Sequence, residues 1–406
     1  MKKIYLYLLF ILLIVFSPVL LKYLLINQKI GILNNIYFNF PKIINSKKDC
    51  VNYDKLLKNS LDNSFSVSII DEKSKLIGSF NENQLRIPAS NLKLISTAYV
   101  LSKYKYKSNL KTTLLKTRRN NYFLIGQGDP DLSYSDINKL LSKIEKNKNI
   151  NLNILEINEK NYWPNGWTNI DKFYEYGSPI TTLAIESNHN KSNNINTLND
   201  FIKKYLIKKF PDSKVKINNI YFKELFYIRN AKEIDSVISN PILSLLTLAN
   251  SESHNFTAES LFKNASNTWD DNDYYQLKFW LRNKGLPVKE LYFADASGLS
   301  RTNRINTKLI ALFLDKMRYS KNFKTYQSTL SIMGVRGTLA NKLTNSELKG
   351  KFFGKTGTLS NVFALSGYLY KNNKPLTISI IQNSEQLDRN KAFNLIKDIY
   401  SIKSCI

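Results

Sequence analysis

Ser90-Asn91-Leu92-Lys93, Ser253-His254-Asn255 and Lys355-Thr356-Gly357-Thr358 occur in that order along the chain. A serine with a lysine three residues on, a Ser-x-Asn and a Lys-Thr-Gly are together the parts of an acyl-transfer site in which lysine, not histidine, carries the proton. To use them jointly, the fold must bring three distant segments to one crevice. The first string alone means little, because Ser-x-x-Lys recurs at Ser102, Ser108, Ser213, Ser260 and Ser346 in this lysine-rich sequence.

The setting of Ser90 separates it from those repeats. Arg86-Ile87-Pro88-Ala89 leads into it, and Leu92, Leu94, Ile95, Ala98, Tyr99 and Leu101 follow at helical spacing, which predicts a helix opened by Ser90. At a helix start the backbone N–H groups lack intrahelical partners and the dipole is positive, which favours a developing oxyanion. Lys93 at i+3 shares the face of Ser90, so its amine is the candidate general base. The plainer reading of Ser90 is an ordinary N-cap, and only the company of the other two strings argues against it.

Ile242, Leu245, Leu246 and Leu248 form a helical run before Ser253, and Ala258, Leu261 and Phe262 form another after Asn255. Ser253 and Asn255 are therefore expected on a connection between helices, where the alternative is a solvated polar turn. Lys355 to Thr358 read as part of a strand, followed across a short turn by Val362 to Tyr370. A lysine and hydroxyls on a strand flank suit a substrate carboxylate, and Gly357 leaves room for a peptide backbone to approach. Taken alone, these residues also read as a surface turn.

With further strings, the chain resembles a D-alanyl-D-alanine carboxypeptidase/endopeptidase of the class C low-molecular-mass penicillin-binding proteins. Gly126-Gln127-Gly128-Asp129-Pro130-Asp131-Leu132, Tyr176-Gly177-Ser178-Pro179, Asp295-Ala296-Ser297-Gly298-Leu299-Ser300-Arg301-x-Asn303 and Gly334-Val335-Arg336-Gly337-Thr338-Leu339 match segments of that family, and the likeness runs from roughly residue 60 to residue 390. The resemblance implies an α+β penicillin-binding or serine β-lactamase-like transpeptidase fold: an antiparallel sheet flanked by helices, an all-helical lobe and one inserted strand-rich domain. It also implies Ser90 as nucleophile, Lys93 as base, Ser253 as proton relay to the leaving amine and Asn255 as a clamp on substrate and Lys93. Lys355, Thr356 and Thr358 would grip the terminal carboxylate beside Gly357. The N–H groups of Ser90 and Thr358 would form an oxyanion hole, worth about 2.7 to 4 kcal/mol per donor. Arg301 is a candidate contact for a substrate carboxylate. One departure stands before Gly166-Trp167, where Asn158 replaces an acidic residue usual in the family, which bears on the third residue of the stem peptide.

The expected substrates are peptidoglycan stem peptides, with β-lactam antibiotics as covalent inhibitors and no metal or cofactor. The chain has two histidines, His189 and His254, and two cysteines, Cys50 and Cys405, and a Ser-His-Asp triad or a Cys/His zinc centre would need them clustered with further partners. His189 is expected on a surface loop and His254 pointing away from the cleft. Two alternatives share the strings: a serine β-lactamase, and a catalytically inactive cell-wall-binding protein.

The domain expectation is a signal anchor or signal peptide over 1–26, a linker over 27–49, the peptidase domain over 50–105 and 233–406, and the insertion over 106–232. Ile4 to Leu21 carries no charge and spans about 27 Å if helical, nearly a hydrocarbon core. It is read as an export signal and, lacking an A-x-A-like site, as an uncleaved anchor for an enzyme outside the cytoplasm, secreted if the segment is cut. An exported location permits a Cys50–Cys405 disulfide. The net charge of +27 comes from lysine spread along the chain without a nucleic-acid module, so anionic lipid or wall polymer is a better partner than nucleic acid.

Overall fold

The computed structural model describes residues 52–402, apart from 118–120, 159, 161, 190–194, 223–227, 229 and 270–273. The expected N-terminal segment and linker, together with Cys50 and Cys405, lie outside the described residues. Among the described residues no helix is long and apolar enough to cross a membrane.

The chain enters through α1 (Tyr53–Ser60), capped by the Asn52 side chain, and the hairpin β1 (Phe65–Ile70) and β2 (Leu76–Phe80). Asp71 closes that hairpin by accepting the amides of Lys73 and Lys75. A 3₁₀ turn, Ala89–Leu92, carries Ser90 into α2 (Lys93–Lys103). Next come β3 (Asn109–Lys116), β4 (Asn121–Ile125), α3 (Tyr134–Leu141), β5 (Asn149–Glu156), α4 (Ile195–Lys209), β6 (Lys214–Tyr221) and β7 (Lys232–Pro241). Helices α5 (Ile242–Ser251), α6 (Asn255–Ser266), α7 (Tyr275–Asn283), α8 (Thr307–Arg318) and α9 (Phe323–Ser328) follow. The chain closes with β8 (Ser331–Ile332), β9 (Phe352–Leu359), β10 (Val362–Lys371), β11 (Lys374–Asn383) and α10 (Arg389–Ser401).

Six strands in the order β2-β1-β11-β10-β9-β8 form an antiparallel sheet that joins the two ends of the described chain. Its tight β10–β11 turn uses Asn372 and Asn373 at φ 50° and 62°, the left-handed pair that matches strand twist in a two-residue hairpin. Alternation along β10 sorts residues to two faces. Phe363, Leu365 and Leu369 pack with Leu57 of α1 and Ile396 of α10. Ala364 and Tyr368 pack with Ile95 of α2, Leu246 of α5, Phe262 of α6 and Phe313 of α8. With both faces covered, β1 is buried throughout, Ser66 and Ser68 included.

Five strands in the order β6-β5-β4-β3-β7 form a second sheet with its own core, in which Leu152, Ile154, Leu140 of α3 and Ile202 of α4 pack together. The β4–β5 and β5–β6 pairs are parallel, and the connections between them carry α3 and α4. Its last strand, β7, pairs with β3 and ends at Pro241, beyond residue 232 where the insertion was expected to end. The polar run of β7 conceals that membership, because only its pairing with a strand more than a hundred residues upstream makes it part of this sheet.

Candidate active site

The turn carrying Ser90 is held from three sides. Arg86, buried, donates to the Ser66 hydroxyl and to the carbonyls of Asn63 and Phe65, while Asn383 receives the Ile87 amide and donates to the Ile87 carbonyl. Asn91 donates to Ser366 of β10 at 2.7 Å, and Ser366 bonds Ser379 of β11, tying the turn to the sheet. Ala89 sits at φ 46°, a left-handed conformation uncommon for residues with a side chain. Gly298, at φ 81°, lies so close that an added Cβ would stand 1.9 Å from the Ala89 carbonyl oxygen. Gly357 of β9 fills the same need from the sheet, since its Cβ would meet Pro88 O and Ser90 N at 2.9 Å. The glycine of Lys-Thr-Gly thus makes room for the protein's own serine turn, a reason not visible in the sequence.

Lys93, fully buried at the start of α2, contacts Ser90 Oγ at 3.1 Å and donates to Asn255 Oδ1 at 2.6 Å and to the Ser297 carbonyl at 2.7 Å. Burial pushes its amine down to about 7, with the carboxylates of Asp295 and Glu259 opposing the shift. A neutral amine has two N–H groups and one lone pair. Asn255 and Ser297 take the two hydrogens, which leaves the lone pair for the Ser90 hydroxyl. A proton can therefore pass from Ser90 to Lys93 without moving either side chain.

Asn255 opens α6, and its amide nitrogen donates to the Tyr176 carbonyl at 2.9 Å. One turn along, buried Glu259 accepts from the amides of Ala296 and Ser297 and from the Tyr274 hydroxyl. Burial and the neighbouring Asp295 carboxylate push Glu259 up, against those hydrogen bonds. Asp295 gathers Gly298 and Ser300 amides, Asn303 and the Trp167 indole, so it shapes the loop whose Ser297 carbonyl meets Lys93.

Ser253 lies half-buried on the connection between α5 and α6 at φ 67°, next to His254. His254 does not simply turn outward: its Nδ1 caps α6 through the Thr257 amide, and its Nε2 lies 2.9 Å from His189 Nε2. Burial, with His189 and Lys93 beside it, pushes His254 down to about 4. The two histidines of the chain are in contact, which differs from a solitary surface-loop His189.

Lys355, on β9, is fully buried, donates to the Thr356 carbonyl, and is held well below the usual lysine range by burial and by Lys93, with Glu252 opposing. Thr356 bonds Thr338 at 2.8 Å, and Thr358 is exposed on the same strand. Arg301 stands apart from this group. It pairs with Asp171 at 2.6 Å; burial pushes the Asp171 carboxyl up, but the hydrogen bonds from Thr168 and Arg301 hold it below the usual carboxylate range. The Tyr176 hydroxyl reaches Asp171 at 3.5 Å, so Arg301 and Asp171 connect to Asn255 through Tyr176. Asn158 instead makes a local turn by accepting the Lys160 amide. Asp171, which follows Gly166-Trp167, is the buried acid that Arg301 meets.

Ser90, Lys93, Asn255 and Gly357 are brought into direct contact, with Lys355 in electrostatic reach of Lys93. Sequence reasoning assigned no role to Glu259, Asp171, Tyr176 or the Ser297 carbonyl. Glu259 was within reach of helical spacing, four residues after Asn255 on the same face.

A D-alanyl-D-alanine carboxypeptidase of Actinomadura sp. (strain R39) is 32% identical over 142 residues, which is 32% of this chain and 26% of that protein. The D-alanyl-D-alanine carboxypeptidase DacB of Haemophilus influenzae is 30% identical over 140 residues, 32% of this chain and 29% of that protein. The chain thus spans less than a third of the length of the curated relatives it matches. Penicillin binding protein 4 (dacB) from Haemophilus influenzae shares the fold at TM-score 0.70 and 18% identity, over 86% of this chain and 98% of that one, and is also solved in complex with a novel beta-lactam. The sequence profile of the D-Ala-D-Ala carboxypeptidase 3 (S13) family matches residues 54–199 and 218–402, a span that takes in the serine turn, the helix connection and β9 alike, and to that family the chain belongs.

Proposed function

We propose that this protein is a serine D-Ala-D-Ala carboxypeptidase or endopeptidase that acts on peptidoglycan stem peptides and is acylated by penicillins. The observation that carries the reading is the buried Lys93 amine, held by Asn255 Oδ1 and the Ser297 carbonyl with its remaining valence toward Ser90 Oγ. Ser90 Oγ attacks the carbonyl between the two D-alanines as its proton passes to Lys93. Charge developing on the carbonyl oxygen meets the Ser90 and Thr358 amides. Ser253 relays the proton to the departing amine, the C–N bond breaks, and water then cleaves the acyl-Ser90 ester. Lys355, Thr356 and Thr358 hold the terminal carboxylate, whose negative charge favours the protonated form of Lys355. Asn255 holds the peptide amide. Arg301, paired with Asp171, addresses the third residue of the stem peptide. Penicillin enters the same sequence because its strained amide presents a carbonyl and a carboxylate in like positions.

The N-terminal apolar run places the enzyme outside the cytoplasm and tethers it to the membrane. The test is to incubate the full chain in detergent with fluorescent penicillin and with a D-Ala-D-Ala-ended muropeptide. Durable labelling at Ser90, with D-alanine release or cross-bridge cleavage, is expected, and Ser90→Ala should abolish both. Equal labelling of the alanine variant would remove Ser90 from the mechanism. Rapid turnover of penicillin without muropeptide cleavage would make the protein a serine β-lactamase instead.

A further inference from the structure

The histidine pair is not used by the steps above, yet it stands one residue from Asn255. His254 precedes α6 and its Nδ1 faces the Thr257 amide at 3.4 Å and the Thr257 hydroxyl at 2.7 Å. That amide lies in the first helical turn and has no carbonyl partner within the helix, so it needs an acceptor. With Nδ1 as that acceptor, and the Thr257 hydroxyl donating to it as well, the ring proton sits on Nε2. Nε2–H points to His189 Nε2 at 2.9 Å, with ring centroids 5.0 Å apart. His189 therefore accepts at Nε2 and carries its own proton on Nδ1.

The backbone on each side supports a built contact. Glu186, Ser187 and Asn188, immediately before His189, are consecutive non-glycine residues at φ 49°, 58° and 55°. Ser187 donates to the Pro130 carbonyl, and Asn188 donates to the Pro179 carbonyl and to Thr181, so this unfavourable run is pinned in place. Ser253, before His254, is also left-handed. Two strained segments, one in the inserted region and one in the helical lobe, end on the same pair of rings.

We propose that His189 is a positioning residue for the acyl-transfer site: by accepting the His254 Nε2 proton it fixes the ring that caps α6, and with it the direction from which Asn255 receives Lys93. The inference rests on the acyl-enzyme reading above. Loss of the acceptor leaves the His254 ring held at Nδ1 alone, which loosens the cap and the Asn255 side chain next to it. Glutamine at 189 places an amide oxygen near the position of Nε2 and restores the acceptor, whereas leucine supplies bulk without one.

The experiment uses the full chain in detergent, with His189→Gln and His189→Leu. Since the chain has two histidines, its imidazole ¹⁵N spectrum holds two ring systems. One ring protonated at Nε2 and the other at Nδ1 is expected; two rings protonated at Nε2 overturn the proposal. Acylation by fluorescent penicillin should slow about three- to tenfold in His189→Leu, the scale of one lost hydrogen bond, and return to within about twofold of the parent in His189→Gln. A leucine variant acylated at the parent rate, or a glutamine variant as slow as leucine, also overturns it. If the parent itself takes up no penicillin, the acyl-enzyme reading fails, while the tautomer measurement on the unaltered protein still decides the histidine contact.

Discussion

In the proposed mechanism Lys93 is the base, and its environment then gives acylation a definite pH dependence. The reactive form is the neutral amine, because only it has a lone pair to receive the Ser90 proton. Burial brings its titration from 10.5 down to about 7. Below that point the amine is protonated, so the rate constant for penicillin acylation should fall about tenfold per pH unit, and above it the rate should level off. Stopped-flow acylation from pH 5.5 to 9 reads this directly. A rate that is flat, or that falls as pH rises through 7, would exclude Lys93 as the base. Lys93→Ala should lower acylation about a hundredfold or more, the usual scale of a positioned base. At this scale the sequence was informative where chemistry is local: Ser90 and Lys93 are three residues apart and must share a face. It was silent on the Ser297 carbonyl, since any residue can offer a carbonyl and only the fold decides which one meets the amine.

At the scale of elements, the serine turn is squeezed between two glycine-bearing segments, and that squeeze is testable. Gly298 combines φ 81° with a Cβ position 1.9 Å from the Ala89 carbonyl oxygen, so Gly298→Ala must strain its own backbone and push the Ser90 turn. The left-handed penalty and the overpacking each run to about 1 to 3 kcal/mol, so a loss of about 2 kcal/mol or more is expected. Urea unfolding should show a lower midpoint with an unchanged slope, accompanied by slower acylation at pH 8. A variant as stable and as fast as the parent would mean that the turn tolerates displacement. The hairpin of β1 and β2 and the succession β9 to β11 were legible because strand alternation and turn residues are local signals. The inserted region was less so. Its parallel pairs β4–β5 and β5–β6 need helices between them, and β7 owes its place to β3, so neither can be read from a window of neighbouring residues.

For the whole molecule, the sheet unites strands from both ends of the chain while the second sheet hangs from the segment between α2 and α5, so the cleft is assembled from distant pieces whose surfaces are rich in lysine. Lys and Arg number 59 against 32 Asp and Glu, a net charge of +27. Among the described residues, Arg86, Lys93, Lys263 and Lys355 are the buried basic side chains. Most of the remainder must face solvent, where it raises the local concentration of anionic polymer without specifying a sequence of contacts. Such attraction is long-ranged and screened: the Debye length shrinks from about 10 Å at 0.1 M salt to about 3 Å at 1 M. Sedimentation with cell walls bearing anionic polymers should therefore fall several-fold between 0.05 M and 0.5 M sodium chloride. Ser90→Ala should sediment like the parent, because retention by surface charge does not need the nucleophile. Retention that ignores salt but disappears in the alanine variant would show instead that the enzyme is held at the wall through its acyl-transfer cleft, and that its excess of lysine serves some other end.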